Sequence, residues 1–261
     1  MARDLDKRRL QLAERLVEWG SLDSAHQLLQ KVRPQDYKAK KEKAYSLADI
    51  HCRRREYTEA LALVRRYLLG ADPLERCRGL WISALCLEGM GDFAGASKQL
   101  QECLALVQLT PGDEEAKKPD LFNIHRELGH ISYRQGRFKE AESWYLQAGK
   151  YCMSAEERCS YFACLGNVLV ELGSARQGLR TFFRALSLSQ EGLPRERFLP
   201  VWEAFCYALV RLGYRRLARE VRDTLKTHGV CRDLAFWVWP WQDLLASRRL
   251  RARVMRELQN I

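Results

Sequence analysis

Histidine is scarce in this chain, five in 261 residues, and the five are scattered at His26, His51, His125, His130 and His228. Nine cysteines are present, but no two form a C-x-x-C, and none stands with a histidine at metal-ligand spacing. This argues against a zinc site, and the odd count argues against a disulfide framework. Most of Cys52, Cys77, Cys86, Cys103, Cys152, Cys159, Cys164, Cys206 and Cys231 lie among Leu, Ala and Val, where a thiol serves as a small buried hydrophobe. No apolar run approaches the roughly 20 residues that cross a bilayer. The opening MARDLDKRRLQL is charged from its third residue and has no apolar stretch of a secretory leader. Phosphate-binding loops, dinucleotide fingerprints, H-E-x-x-H and G-x-S-x-G are missing. These absences predict a soluble, cytoplasmic, non-enzymatic protein without cofactor or metal.

What is present is positive charge and a period. The formal net charge is +11, which attracts acidic partners without choosing among nucleic acid, anionic membrane and acidic protein. A small residue marks one helix, a turn residue follows seven later, and a second small residue stands at twelve. The triplets are Ala13, Gly20, Ala25; Ala48, Arg55, Ala60; Ala84, Gly91, Ala96; Gly129, Gly136, Ala141; Gly166, Gly173, Gly178; and Cys206, Gly213, Ala218. Their first members are separated by 35, 36, 45, 37 and 40 residues. Such a period predicts a stack of supersecondary units, each of two helices with apolar residues at 3–4 spacing. Small residues on both helices let the axes approach. The glycines end the first helices, where a left-handed residue is needed. Arg55 breaks that rule and predicts a less regular second turn.

The stretches LGHISYRQGRFKEAESWYLQA and LGNVLVELGSARQGLRTFFRA carry Leu-Gly, a later small residue and then an aromatic, Tyr145 or Phe182. They resemble the tetratricopeptide repeat, whose pattern is W-x2-L-G-x2-Y, then A-x3-F, then Pro. The other four units are degenerate, with Leu29, Val64, Leu100 and Arg222 at the aromatic position. The resemblance implies an all-α, right-handed solenoid of antiparallel helix pairs. Units are expected near 5–35, 40–72, 76–108, 121–153, 158–190 and 198–228, together an array over 1–228. The segment QLTPGDEEAKKPD, Gln108 to Asp120, falls outside the register and reads as an exposed loop, either a joint between units three and four or a binding or regulatory element. Residues 229–261 hold Phe236, Trp237, Trp239 and Trp241 around Pro240, then a helix with Leu244, Leu245, Leu250, Val254 and Leu258 on one side. This segment reads as a cap over the last hydrophobic face, or as a docking site. Arg248, Arg249, Arg251 and Arg253 make it a basic surface patch.

The resemblance also implies that first helices line a concave groove, at positions three before, one after and four after each marker. The groove candidates are Tyr45, Trp81, Arg126, His130, Tyr133, Asn167 and Tyr207, with Arg134 flanking. Arg offers a forked donor to carboxylate, and Asn both donates to and accepts from a peptide backbone. Relatives that clamp chaperone C-termini carry basic residues where this chain has Glu203 with Tyr207, which disfavours that ligand. Three functions stay open. The first is a scaffold or adaptor that receives a peptide or helix, acidic by charge complementarity. The second is a peptide-sensing half of a transcriptional system without its own DNA-binding domain. The third is a nucleic-acid-associated protein binding through its basic patches in a salt-sensitive, sequence-blind way.

Overall fold

Each first helix ends by reversing the chain, and the reversal is made the same way six times. The turn residues Gly20, Arg55, Gly91, Gly136, Gly173 and Gly213 all have positive φ, between 63° and 87°. At the first turn Gly20 N–H donates to Val17 O at 3.0 Å and Ser21 N–H donates to Leu16 O at 2.8 Å. This pair of bonds closes the helix carbonyls in a Schellman motif. Arg55 makes the same pair, to Cys52 O at 3.0 Å and from Glu56 N–H to His51 O at 2.8 Å. The expected irregularity is therefore corrected: the second turn keeps the geometry, and an L-residue bears the left-handed strain.

A computed structural model describes residues 2–18, 20–34, 36–70, 72–188 and 199–220, with no strand among them. The chain divides into two compact units, 1–113 and 114–261. The first contains α1 (Ala2–Glu18), α2 (Leu22–Gln30), α3 (Tyr37–Arg53), α4 (Tyr57–Tyr67), α5 (Pro73–Gly89) and α6 (Phe93–Leu109). The second contains α7 (Glu114–Arg134), α8 (Phe138–Gly149), α9 (Ala155–Glu171), α10 (Ala175–Ser187) and α11 (Leu199–Arg211), followed by helical residues 215–220. Within each unit the helices pack as consecutive pairs. Successive first helices then lie against one another: α1 on α3 on α5, and α7 on α9 on α11.

The markers sit where the axes meet. Ala13, Ala25, Ala48, Ala60, Ala84, Ala96 and Ala141 are all buried, as are Gly129, Gly166 and Gly178. The glycines make room for rings. A methyl on Gly129 would stand 2.5 Å from the Tyr145 ring, and one on Gly166 would stand 3.0 Å from the Phe182 ring. In the first unit the marker is alanine and its partner position is the smaller Leu29, Val64 or Leu100, each buried. Marker and partner thus change size in opposite directions, which keeps the interior at close-packed density.

Two expectations are corrected. Of the segment 108–120, only 110–113 is non-helical between α6 and α7. Glu114 and Glu115 favour the positive end of the helix dipole, and Lys117 donates to Glu114 Oε1 at 2.7 Å across one turn. Pro119 lies inside α7 on an exposed stretch, where it removes a single backbone bond. The second correction concerns cysteine: Cys77 on α5 and Cys103 on α6 form a disulfide, 26 residues apart in sequence. Their Cα atoms are 4.8 Å apart because the paired helices approach closely there.

Candidate functional site

Of the groove candidates, Tyr45 and Trp81 belong to the first unit. Both are half-buried and pack on a core of Ala48, Ala60, Val64, Leu68, Ile82 and Cys86. The Arg78 guanidinium lies over the Tyr45 ring at 5.5 Å. Arg126, His130, Tyr133, Arg134, Asn167 and Tyr207 belong to the second unit, on α7, α9 and α11. Arg248, Arg249, Arg251 and Arg253, with the tryptophans around Pro240, lie outside the described residues. So does the side chain of Glu203.

The second unit fixes this face through its helix starts. α9 begins with a capping box: Glu157 N–H donates to Ser154 Oγ at 3.0 Å and Ser154 N–H donates to Glu157 Oε2 at 2.9 Å. That fixes the start of the helix carrying Cys164, Asn167 and Glu171. These three residues, at spacings of three and four, share one side of α9.

Two charge clusters occupy the face. In the first, Glu127 is a buried carboxylate on α7. Its Oε1 accepts from Arg126 Nη2 at 2.8 Å, and its Oε2 faces His130 Nδ1 at 3.1 Å. The other ring nitrogen, Nε2, lies 3.2 Å from Cys164 Sγ on α9. Tyr145 of α8 meets the His130 ring edge-on, centroids 5.7 Å apart. Burial by itself would raise the Glu127 pKa, but His130 and Arg126 overcome it and hold the group down at about 2. Burial likewise opposes a charged His130, and the Glu127 carboxylate reverses that, holding its pKa well above the ordinary value. Arg126 and His130 are therefore already paired, where the sequence alone suggested groups open to a ligand.

In the second cluster, the Glu171 side chain at the end of α9 is 7% exposed and accepts from Arg211 Nη2 at 2.7 Å. The Tyr207 hydroxyl donates to its other oxygen at 3.2 Å. Tyr133 faces the same carboxylate; burial first, and then that charge, push its pKa up to about 12. Tyr207 and Arg211 are exposed, and Arg134 stands exposed in the last turn of α7.

Asn167 lies between the two clusters, one turn from Cys164 and one from Glu171. It is half-buried, and no hydrogen bond or ion pair holds its amide among the described residues. Glu127, Cys164, Glu171 and Arg211 were not singled out from sequence. The available signal was positional. Glu127 and His130 are an i, i+3 pair, and Cys164 occupies in its repeat the place that Glu127 occupies in its own. Among the described residues, no group of three His, Cys, Asp or Glu side chains is placed to hold a metal ion. No described helix is long and apolar enough to cross a membrane.

No protein-family model and no curated protein matches the chain. Solved structures do. The chain is similar to BtubC (BKLC) from P. vanneervenii, with a TM-score of 0.58 at 17% identity over 87% of this chain and 94% of that one. It is similar to a thermophilic TPR protein of Thermus thermophilus, with a TM-score of 0.58 at 19% identity over 77% and 98%. It is also similar to Pseudomonas aeruginosa pilF, with a TM-score of 0.56 at 14% identity over 94% and 98%. At these identities the likeness is one of fold: the chain is an α-solenoid of the tetratricopeptide-repeat type.

Proposed function

We propose, from a tetratricopeptide-type fold, that this chain is a non-enzymatic protein-interaction scaffold whose α7–α9–α11 face binds an extended, acidic peptide segment of a partner. The observation that carries the reading is the Asn167 amide, half-buried and, among the described residues, unpaired between two satisfied charge clusters. A side-chain amide is complementary to a peptide unit, since it donates to the carbonyl and accepts from the N–H. Among the described side chains around it, Arg126, His130 and Arg211 outnumber Glu127 and Glu171, a positive excess when His130 is charged. Tyr207 and Arg211, exposed at the far edge, add flat contact area and free donor directions.

The pairing of Arg126 dictates the control. Removing Arg126 would strip a partner from buried Glu127 and confound binding with folding. Asn167→Ala removes only an amide that is unpaired among the described residues. The test is selection from a display library of short random peptides, followed by affinity measurement on the selected sequences. Enrichment of Asp and Glu is expected, as is about a tenfold weaker Kd for Asn167→Ala, the loss of one or two net hydrogen bonds. Selected peptides that are not acidic, or that bind Asn167→Ala as tightly as the parent, would refute this placement.

A further inference from the structure

The contact between His130 and Cys164 is not needed to bind a peptide, and it has the geometry of a nucleophile with its proton carrier. Glu127 Oε2, His130 Nδ1, His130 Nε2 and Cys164 Sγ form a line across α7 and α9, with gaps of 3.1 Å and 3.2 Å. A carboxylate on one ring nitrogen orients the imidazole and supports its protonated form, while the other nitrogen addresses the sulfur. The Glu127 side chain is only 10% exposed, which keeps it from being shared with water. The His130 side chain is 36% exposed and Cys164 is half-buried, so the pair is not sealed from solvent.

We propose that Cys164 is a modification site, activated by His130 and oriented by Glu127, whose reactant class is a hydroperoxide. The sulfur attacks one peroxide oxygen. An S–O bond forms, the O–O bond breaks, and the electron pair leaves with the departing oxygen. His130 Nε2 gives that oxygen its proton. With hydrogen peroxide the products are cysteine sulfenic acid and water; the sulfur is oxidised by two electrons and the peroxide reduced by two. The half-buried position selects for a small oxidant, and the imidazolium supplies what a leaving hydroxide needs. Besides His130, the described titratable groups that interact with this sulfur are Arg126 of α7, Tyr145 of α8 and Cys159 of α9. Among the described residues Cys159 and Cys152 have no such partner, and burial pushes their thiols up to about 12 and about 11.

Those two cysteines are controls within the same molecule. The intact chain is alkylated with limiting iodoacetamide at a series of pH values, and each cysteine is quantified by peptide mass spectrometry. A second sample receives hydrogen peroxide with dimedone to trap sulfenic acid. At pH 7, Cys164 is expected to alkylate at least about tenfold faster than Cys152, and to be the principal dimedone adduct. His130→Gln is expected to remove that advantage, with helicity checked by circular dichroism. Equal labelling of Cys164 and Cys152 in the unaltered chain overturns the proposal without reference to any variant. A folded His130→Gln protein with an unchanged Cys164 profile also overturns it, because a merely packed thiol would behave that way.

Discussion

Gly129 and Tyr145 allow the packing argument to be tested as a pair. A methyl on Gly129 would stand 2.5 Å from Tyr145 Cε1 and 2.6 Å from Cδ1. Tyr145 is 2% exposed, so its ring has no open space to enter. Overpacking of this kind costs about 1–3 kcal/mol, and alanine regains about 1 kcal/mol of helix propensity over glycine. The contact is deep enough to place the steric cost at the upper end, so Gly129→Ala should destabilise by about 1–2 kcal/mol net. Tyr145→Leu alone leaves a void and should cost about 2 kcal/mol. Combined, the new methyl enters space the ring has left, as at the alanine markers opposite Leu29 and Leu100. The coupling energy should favour the double variant by about 1–2 kcal/mol. Urea unfolding of the four proteins, followed by far-ultraviolet circular dichroism, gives the full cycle. Additivity within about 0.5 kcal/mol, or a Gly129→Ala protein as stable as its parent, would refute the reasoning.

Arg55→Gly should raise stability. A left-handed L-residue costs about 1–2 kcal/mol, the extra freedom of glycine in the unfolded chain returns about 0.5–1, and a gain of about 0.5–1 remains. A thermal midpoint that stays level or falls would contradict this. The pH dependence of the second unit has two limbs. Glu127 is held below its ordinary 4.5, so its contribution is present above 4.5 and lost as the pH falls toward about 2. His130 is held above 6.5, so its contribution is present below 6.5 and lost as the pH rises through its folded value. His125 has the opposite sign, because burial lowers its pKa: its contribution is present above 6.5 and lost as the pH falls through its folded value. The stability difference between the parent and His130→Gln isolates one limb. It should be greatest between pH 4.5 and 6.5 and shrink in alkali; a difference that grows with pH would reverse the assignment.

Much of the backbone plan is legible in the sequence because it rests on sterics. The turn residues at seven after each marker, the small residues at both crossings and the rings opposite Gly129 and Gly166 all follow from which side chains fit. Features that depend on neighbouring helices were harder to read. Cys77 and Cys103 look unrelated at a separation of 26. They lie seven before one marker and seven after the next, and antiparallel helices bring those positions abreast. The start of α7 was hidden by the turn-forming composition of the segment, although its acidic and basic residues are ordered to suit a first helical turn. Glu127 sits between Arg126 and a leucine and reads as a solvated charge, yet it is buried. Arg126 and His130 take that carboxylate as their partner within α7, and the His130–Cys164 contact comes from α9.

The opposite sizing of marker and partner also bears on how such a chain can be rearranged. A cut in a connection between pairs, such as 110–113, moves each small residue together with the side chain it accommodates. A cut in a turn such as that at Gly136 separates them. It would set an alanine against Tyr145 in one chimera and a glycine against Leu29 in the reciprocal one, a clash and a void from a single crossover. The natural unit of shuffling in this chain is the hairpin, and a library built by exchanging hairpins should keep far more folded members than one built by exchanging helices.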